Sequence, residues 1–177
     1  AKINKARQQN ERIDYITFVP DGEPTLDINL GKEIKLIKQL GSKIAVITNS
    51  SLLNDENVRT DLLQADWVSI KIDTVDKKIW HQLNRPFGKL DLQKILNGIK
   101  NFRHSFKGTF VTETMIVNGL NDNEKSLIKV SDFLKVINPD KSHILVPTRP
   151  PAEEFVKPPS EENLNIAYQI FNSRISN

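Results

Sequence analysis

Three observations predict a parallel α/β fold built as an open partial (βα) barrel. Five short apolar runs, rich in β-branched residues, span Tyr15–Val19, Lys43–Thr48, Asp66–Asp73, Gly108–Val117 and Ser142–Val146. The segments between them carry apolar residues at helical spacing. Every run also ends in polar or turn-forming residues rather than fading into a linker. Strands alternating with helices pair in parallel through right-handed crossovers, with the helices outside. In such folds the C-terminal strand ends gather the functional groups.

Residues 1–12 are polar and read as a helix without a strong core face, or as a loop. Strand one, Tyr15–Val19, stops at Pro20 and turns through Asp21-Gly22, delivering Glu23 just past the strand end, where Pro24 limits the backbone. Leu30, Ile34, Ile37 and Leu40 then form one helical face, with Gly41 as its terminator. Strand two ends in Thr48-Asn49-Ser50-Ser51, and Asp55–Gln64 is helical with Val58, Leu62 and Leu63 inward. After strand three, Thr74 is expected to cap a helix over Val75–Leu83, and Asn84-Arg85-Pro86-Phe87-Gly88 is a loop. Helix Asp91–Ser105 buries Leu92, Ile95, Leu96, Ile99 and Phe102. Strand four is closed by Asn118-Gly119-Leu120-Asn121-Asp122, and Asn123–Ile137 is strongly amphipathic. After strand five come Pro147-Thr148-Arg149-Pro150-Pro151, then a helix over Glu161–Ile175 capped by Ser160.

The 177 residues carry 27% charged and 38% hydrophobic residues, ordinary for one domain with a sizeable core. A net charge of +3 permits an anionic partner without requiring one, because the basic residues are scattered. No apolar run approaches membrane-spanning length and the N-terminal stretch has no apolar signal core, so a cytoplasmic location is expected. There is no cysteine, which excludes disulfides, zinc-thiolate sites and a cysteine nucleophile within these residues. His81, His104 and His143 share no metal-ligand spacing, and no metal bound by these side chains is expected.

Read in order, the strand ends present Asp21-Gly22-Glu23, Thr48-Asn49-Ser50, then Ser69, Lys71 and Asp73, then Glu113, then Thr148 and Arg149. Ser69, Lys71 and Asp73 share parity and project from one face of their strand. Burying Lys71 and Asp73 there is costly unless they pair or meet a polar ligand. A surface-facing edge strand is the plainer alternative. Glu113 interrupts an otherwise β-branched strand, and since both faces of a parallel sheet are normally covered, a ligand is its expected partner.

These residues resemble the radical S-adenosylmethionine superfamily. Asp21-Gly22-Glu23-Pro24-Thr25-Leu26 is similar to the Gly-Gly-Glu-Pro-type motif that follows that family's second strand, with Asp at the first glycine position. Thr48-Asn49-Ser50 resembles the Thr-Asn-Gly closing its third strand. Lys71-Ile72-Asp73, Asn84-Arg85-Pro86, and Glu113-Thr114 with Gly119-Leu120-Asn121-Asp122 fall where it has its fourth and fifth strands. Arg149-Pro150-Pro151-Ala152-Glu153 and Pro158-Pro159-Ser160-Glu161-Glu162 look most like its iron–sulfur oxidoreductase branch related to wyosine-type tRNA-modifying synthases.

The resemblance implies a partial TIM-like barrel whose first strand is missing, a single truncated core domain over residues 1–177. It implies binding of S-adenosylmethionine by Asp21, Gly22, Glu23, Pro24, Thr48, Asn49, Ser69, Lys71, Asp73, Glu113 and Arg149. In that family a [4Fe–4S] cluster, held by Cys-x-x-x-Cys-x-x-Cys after the first strand, reductively cleaves the cofactor to a 5′-deoxyadenosyl radical. A cysteine-free chain is expected to lack that cluster and to be inactive alone, the cluster belonging to the full-length protein. The implied partners are the small-molecule cofactor, an electron-donor protein and a substrate left open, tRNA among the choices. Two other readings compete: a non-catalytic adenosyl- or protein-binding barrel, and an aldolase-type barrel with Lys71 as Schiff-base lysine.

Overall fold

A computed structural model describes residues 2–19 and 22–175. Pro20 and Asp21, of the first strand-end turn, lie outside the described residues. Five strands form one all-parallel sheet in the order β1-β2-β3-β4-β5: β1 Tyr15–Phe18, β2 Lys43–Thr48, β3 Trp67–Lys71, β4 Thr109–Met115 and β5 Lys141–Leu145. The described helices are α1 Lys2–Gln8, α2 Leu30–Lys38, α3 Glu56–Leu62, α4 Lys77–Leu83, α5 Leu92–Ser105, α6 Glu124–Ile137 and α7 Glu161–Arg174. A single 3-10 turn, Pro24–Leu26, follows β1. Sequential order of parallel strands is what adjacent βα crossovers produce, so the predicted partial-barrel architecture holds.

The register separates two faces. Val46, Val68 and Phe110 stand side by side across β2, β3 and β4 and are fully buried. They belong to one core with Ile44 and Ile70 and with the α5 stripe Leu92, Ile95, Leu96, Ile99 and Phe102. Lys71, Glu113 and His143 form a row on the opposite face. A smaller cluster of Ile116, Leu127 and Ala167 joins β4, α6 and α7. Gly98 lets α5 approach the loop after β2: a Cβ there would stand 2.0 Å from the Leu53 carbonyl oxygen.

The other end of the sheet is secured twice by the same device. Asp66, just before β3, accepts from the Ile44 amide at 2.8 Å and donates its own N–H to the Ile44 carbonyl at 2.9 Å. Asp140, just before β5, does the same with Phe110, at 2.7 and 2.8 Å. Burial alone would raise the Asp66 pKa, but the Ile44 N–H and the Lys38 ammonium outweigh it, and the net direction is down.

Several local expectations need correction. Helix α4 is capped by Asp76, which accepts from the Lys78 and Ile79 amides, while Thr74 accepts from the Asp76 amide. The two side chains act in series, and the carboxylate takes the cap. Leu63 and Leu40 are exposed rather than inward. Leu40 and Leu63 both lie past the last residue of their helices, at the frayed end of the turn. Gly41 adopts φ 74°, one residue further from the helix end than expected. At the N-terminus, where helix and loop were both open, α1 forms.

Candidate functional site

Glu23 is held before any ligand arrives. It caps the 3-10 turn, whose first residue is Pro24, an arrangement that uses the missing proline N–H at no cost. Its Oε1 accepts from the Thr25 amide at 3.2 Å, from the Thr25 hydroxyl at 2.7 Å, and from the Thr48 hydroxyl. Its Oε2 accepts from the Asn49 amide at 2.7 Å. The carboxylate thus staples the end of β1 to the end of β2, with Thr48 and Pro24 buried behind it. Gly22 has open space where a Cβ would stand, so packing against the described residues does not require glycine there.

Ser50 has φ 62°, the left-handed region that a glycine would occupy freely. Its hydroxyl donates to the Lys71 carbonyl at 2.5 Å and its amide donates to the Thr48 hydroxyl at 3.0 Å. The first bond holds the β2 end against the β3 end, and the second fixes the turn that leaves β2.

At the end of β3, Ser69 and Lys71 lie on one face as parity requires, with Asp73 next in the alternation. The Ser69 hydroxyl donates to Glu113 at 2.8 Å. Lys71 and Asp73 form an ion pair at 2.8 Å in which the carboxylate is 1% exposed and the ammonium side chain 30%. Asp73 also accepts from Asn84 Nδ2 at 2.6 Å and the Met115 amide at 2.8 Å. Asn121 completes the frame. Its Nδ2 donates to the carbonyls of Asp73 and Met115, and its Oδ1 accepts from the Val117 amide. Among the described residues no buried side-chain polar atom lacks a partner.

Above these strand ends lies a cavity of about 1270 Å³. Of the strand-end residues singled out in the sequence, it brings together Glu23, Asn49, Ser50, Lys71, Asp73, Thr148 and Arg149. It does not gather Gly22, Pro24, Thr48, Ser69 or Glu113; Glu113 stands level with Lys71, but its carboxylate and the Ser69 hydroxyl are joined to each other. Asp21 lies outside the described residues. The sequence reading missed Asn84 as a site residue, although its stretch was noted, and missed Thr25 and Asn121. Their roles depend on reaching a carboxylate or carbonyl 2 to 48 positions away in sequence, which spacing does not disclose.

The wall suits a ligand carrying both charges. Glu23 is an acceptor for an ammonium, Lys71 a donor to a carboxylate, and apolar side chains together with Asn49, Asn84 and Arg149 line the rest. An iron–sulfur cluster does not fit these side chains. The chain has no thiolate, and among the described residues no group of His, Cys, Asp and Glu could hold a metal ion. No described helix is long and apolar enough to cross a membrane.

Comparison with known proteins bears on what this geometry serves. A UPF0026 protein of Methanocaldococcus jannaschii is 51% identical over 166 residues, covering 94% of this chain and 52% of that protein. The chain therefore spans about half the length of that relative. A solved domain of pyruvate-formate lyase-activating enzyme from Bacteroides vulgatus superposes with TM-score 0.73 at 21% identity, covering 92% of this chain and 95% of the domain. TYW1 with a lysine-pyruvate adduct bound superposes with TM-score 0.64 at 18% identity, covering 94% of this chain and 52% of that one. At those identities the likeness is one of fold. The Radical SAM superfamily model matches residues 1–134, most of the chain, which accordingly belongs to the radical SAM superfamily.

Proposed function

We propose that residues 1–177 form one core domain that binds S-adenosylmethionine at the strand ends. The observation that carries this reading is the preset Glu23 carboxylate, fixed by Thr25, Thr48 and Asn49 and facing the same cavity as the Lys71–Asp73 pair. Glu23 receives the ammonium of the methionine end, and Lys71, shared with Asp73, meets its carboxylate or the ribose. Asn49 completes the rim at the Glu23 end, while Ser69 and Glu113, joined to each other, support the floor. Preorganisation of this kind lowers the ordering cost of binding.

In this superfamily a thiolate-held [4Fe–4S] cluster supplies the electron for reductive cleavage of the cofactor. We propose that its ligands come from outside these 177 residues, and that the residues by themselves bind the cofactor without cleaving it. For the whole protein the proposal is a radical oxidoreductase served by an electron-donor protein, with tRNA one substrate compatible with the +3 charge.

Calorimetry with S-adenosylmethionine tests the reading. Glu23→Gln should weaken binding by about 1–3 kcal/mol, the scale of one charge-assisted hydrogen bond, or roughly ten- to a hundredfold. Unchanged affinity would remove Glu23 from the binding site and the proposal with it.

A further inference from the structure

The polar strand ends occupy only part of the cavity. The remainder extends under the α4–α5 connection, where Trp80, Leu83, Leu90, Leu92 and Ile95 form the wall. Trp80, Leu92 and Ile95 are buried, and Leu83 and Leu90 are half-buried. The nearest buried carboxylate, Asp73, is already satisfied by Lys71, Asn84 and Met115. The side chains of Trp80, Leu83, Leu90, Leu92 and Ile95 offer a water no strong hydrogen-bond partner, whereas an apolar group would find van der Waals contact along them.

Over the compartment runs the strap that follows β5. It lines the cavity from Pro147 to Pro151 and again at Val156. Arg85, at the end of α4, pairs with Glu153 of the strap, and the Asn118 amide donates to the Lys157 carbonyl at 2.9 Å. Arg85 thereby neutralises Glu153. Arg149 lies on the same strap, lines the cavity, and makes no side-chain hydrogen bond or ion pair among the described residues. Arg149 is exposed, so the cavity offers an uncommitted, solvent-accessible guanidinium on its strap side together with a wall of apolar side chains.

We propose that this compartment is a second binding site, separate from the Glu23 end. It takes an amphiphilic anion, its compact apolar body against Trp80, Leu83 and Ile95 and its carboxylate, phosphate or sulfonate on Arg149. The inference stands beside the cofactor reading and does not depend on it.

The test is fluorescence titration of the full chain with 1-anilinonaphthalene-8-sulfonate, alongside the neutral N-phenyl-1-naphthylamine. The expected result is saturable binding of both probes, with energy transfer that Trp80→Phe lowers, Trp67 remaining as the second donor. Leu83→Phe, which fills the compartment, should weaken both probes about tenfold, the scale of steric exclusion from an apolar pocket. If Leu83→Phe does not fold, Leu90→Phe on the same wall gives the same reading. Arg149→Gln should weaken the sulfonate several-fold, reduce its salt dependence and leave the neutral probe unchanged. Glu23→Gln should leave both probes unchanged, even where it weakens S-adenosylmethionine. Non-saturable binding, indifference to the wall-filling variant, equal effects of Arg149→Gln on the two probes, or loss of probe binding in Glu23→Gln would each overturn the proposal.

Discussion

Replacing Asp73 with Asn probes the centre of the strand-end frame. Its carboxylate is 1% exposed and receives Lys71 Nζ, Asn84 Nδ2 and the Met115 amide. All three partners are donors. An asparagine of the same shape brings one oxygen and one NH₂, so at least one donor is left facing another donor, and Lys71 loses its counter-charge. Breaking a fully buried pair costs about 3–5 kcal/mol. Lys71, however, has its side chain 30% exposed and can turn toward water, so the cost should fall to about 2–3 kcal/mol. Urea unfolding of Asp73→Asn, with the slope unchanged, should show that loss as a lower midpoint.

Lys71→Met completes a double-mutant cycle. It strands the Asp73 charge in the single variant and removes the conflict in the pair, so the two losses should fall short of adding by about 1–2 kcal/mol. A loss below about 0.5 kcal/mol in Asp73→Asn, or strict additivity in the cycle, would refute the view that this pair and its amide partners hold the strand ends together.

Ser50 offers two opposed substitutions. Ser50→Ala keeps the left-handed φ of 62° and deletes the bond to the Lys71 carbonyl, a loss of about 1–3 kcal/mol. Ser50→Gly deletes the same bond but relieves about 1 kcal/mol of backbone strain, so its melting temperature should lie above that of the alanine variant; the reverse order would contradict the strain assignment. Asp66 governs acid sensitivity at the opposite end of the sheet. Its folded pKa lies below the usual carboxylate value of 3.8 because the Ile44 amide and Lys38 outweigh the opposing effect of burial. Its contribution is therefore fully present above pH 4 or so and is lost as pH falls through the lower folded value. Asp66→Asn should flatten the stability profile in that window, and an unchanged acid limb in pH-dependent unfolding would count against it.

Strand and helix placement was legible in the sequence because apolar periodicity is a local property. The β-branched runs and the Leu92–Phe102 stripe state which face must leave water, and the sheet order follows from chain order once crossovers are short. The strand-end polar groups were legible for the same reason, since Lys71 and Asp73 interrupt an apolar run and Glu23 follows the turn that ends one.

Which of these groups share a cavity was decided only by the tertiary structure. Ser69 and Glu113 have the right residue types and the right strands, and Glu113 stands level with Lys71, yet the two bond to each other and do not line the cavity. Asn84, Thr25 and Asn121 acquire their roles from partners that folding brings within about 3 Å. The choice of Asp76 over Thr74 as the α4 cap was likewise a competition between two adequate acceptors, which the path of the chain resolved. Hydrogen bonds act over a few ångströms in any direction, whereas periodicity reads the chain along one. The sequence therefore determined the layers and the supply of functional groups, and three-dimensional packing determined which of them meet.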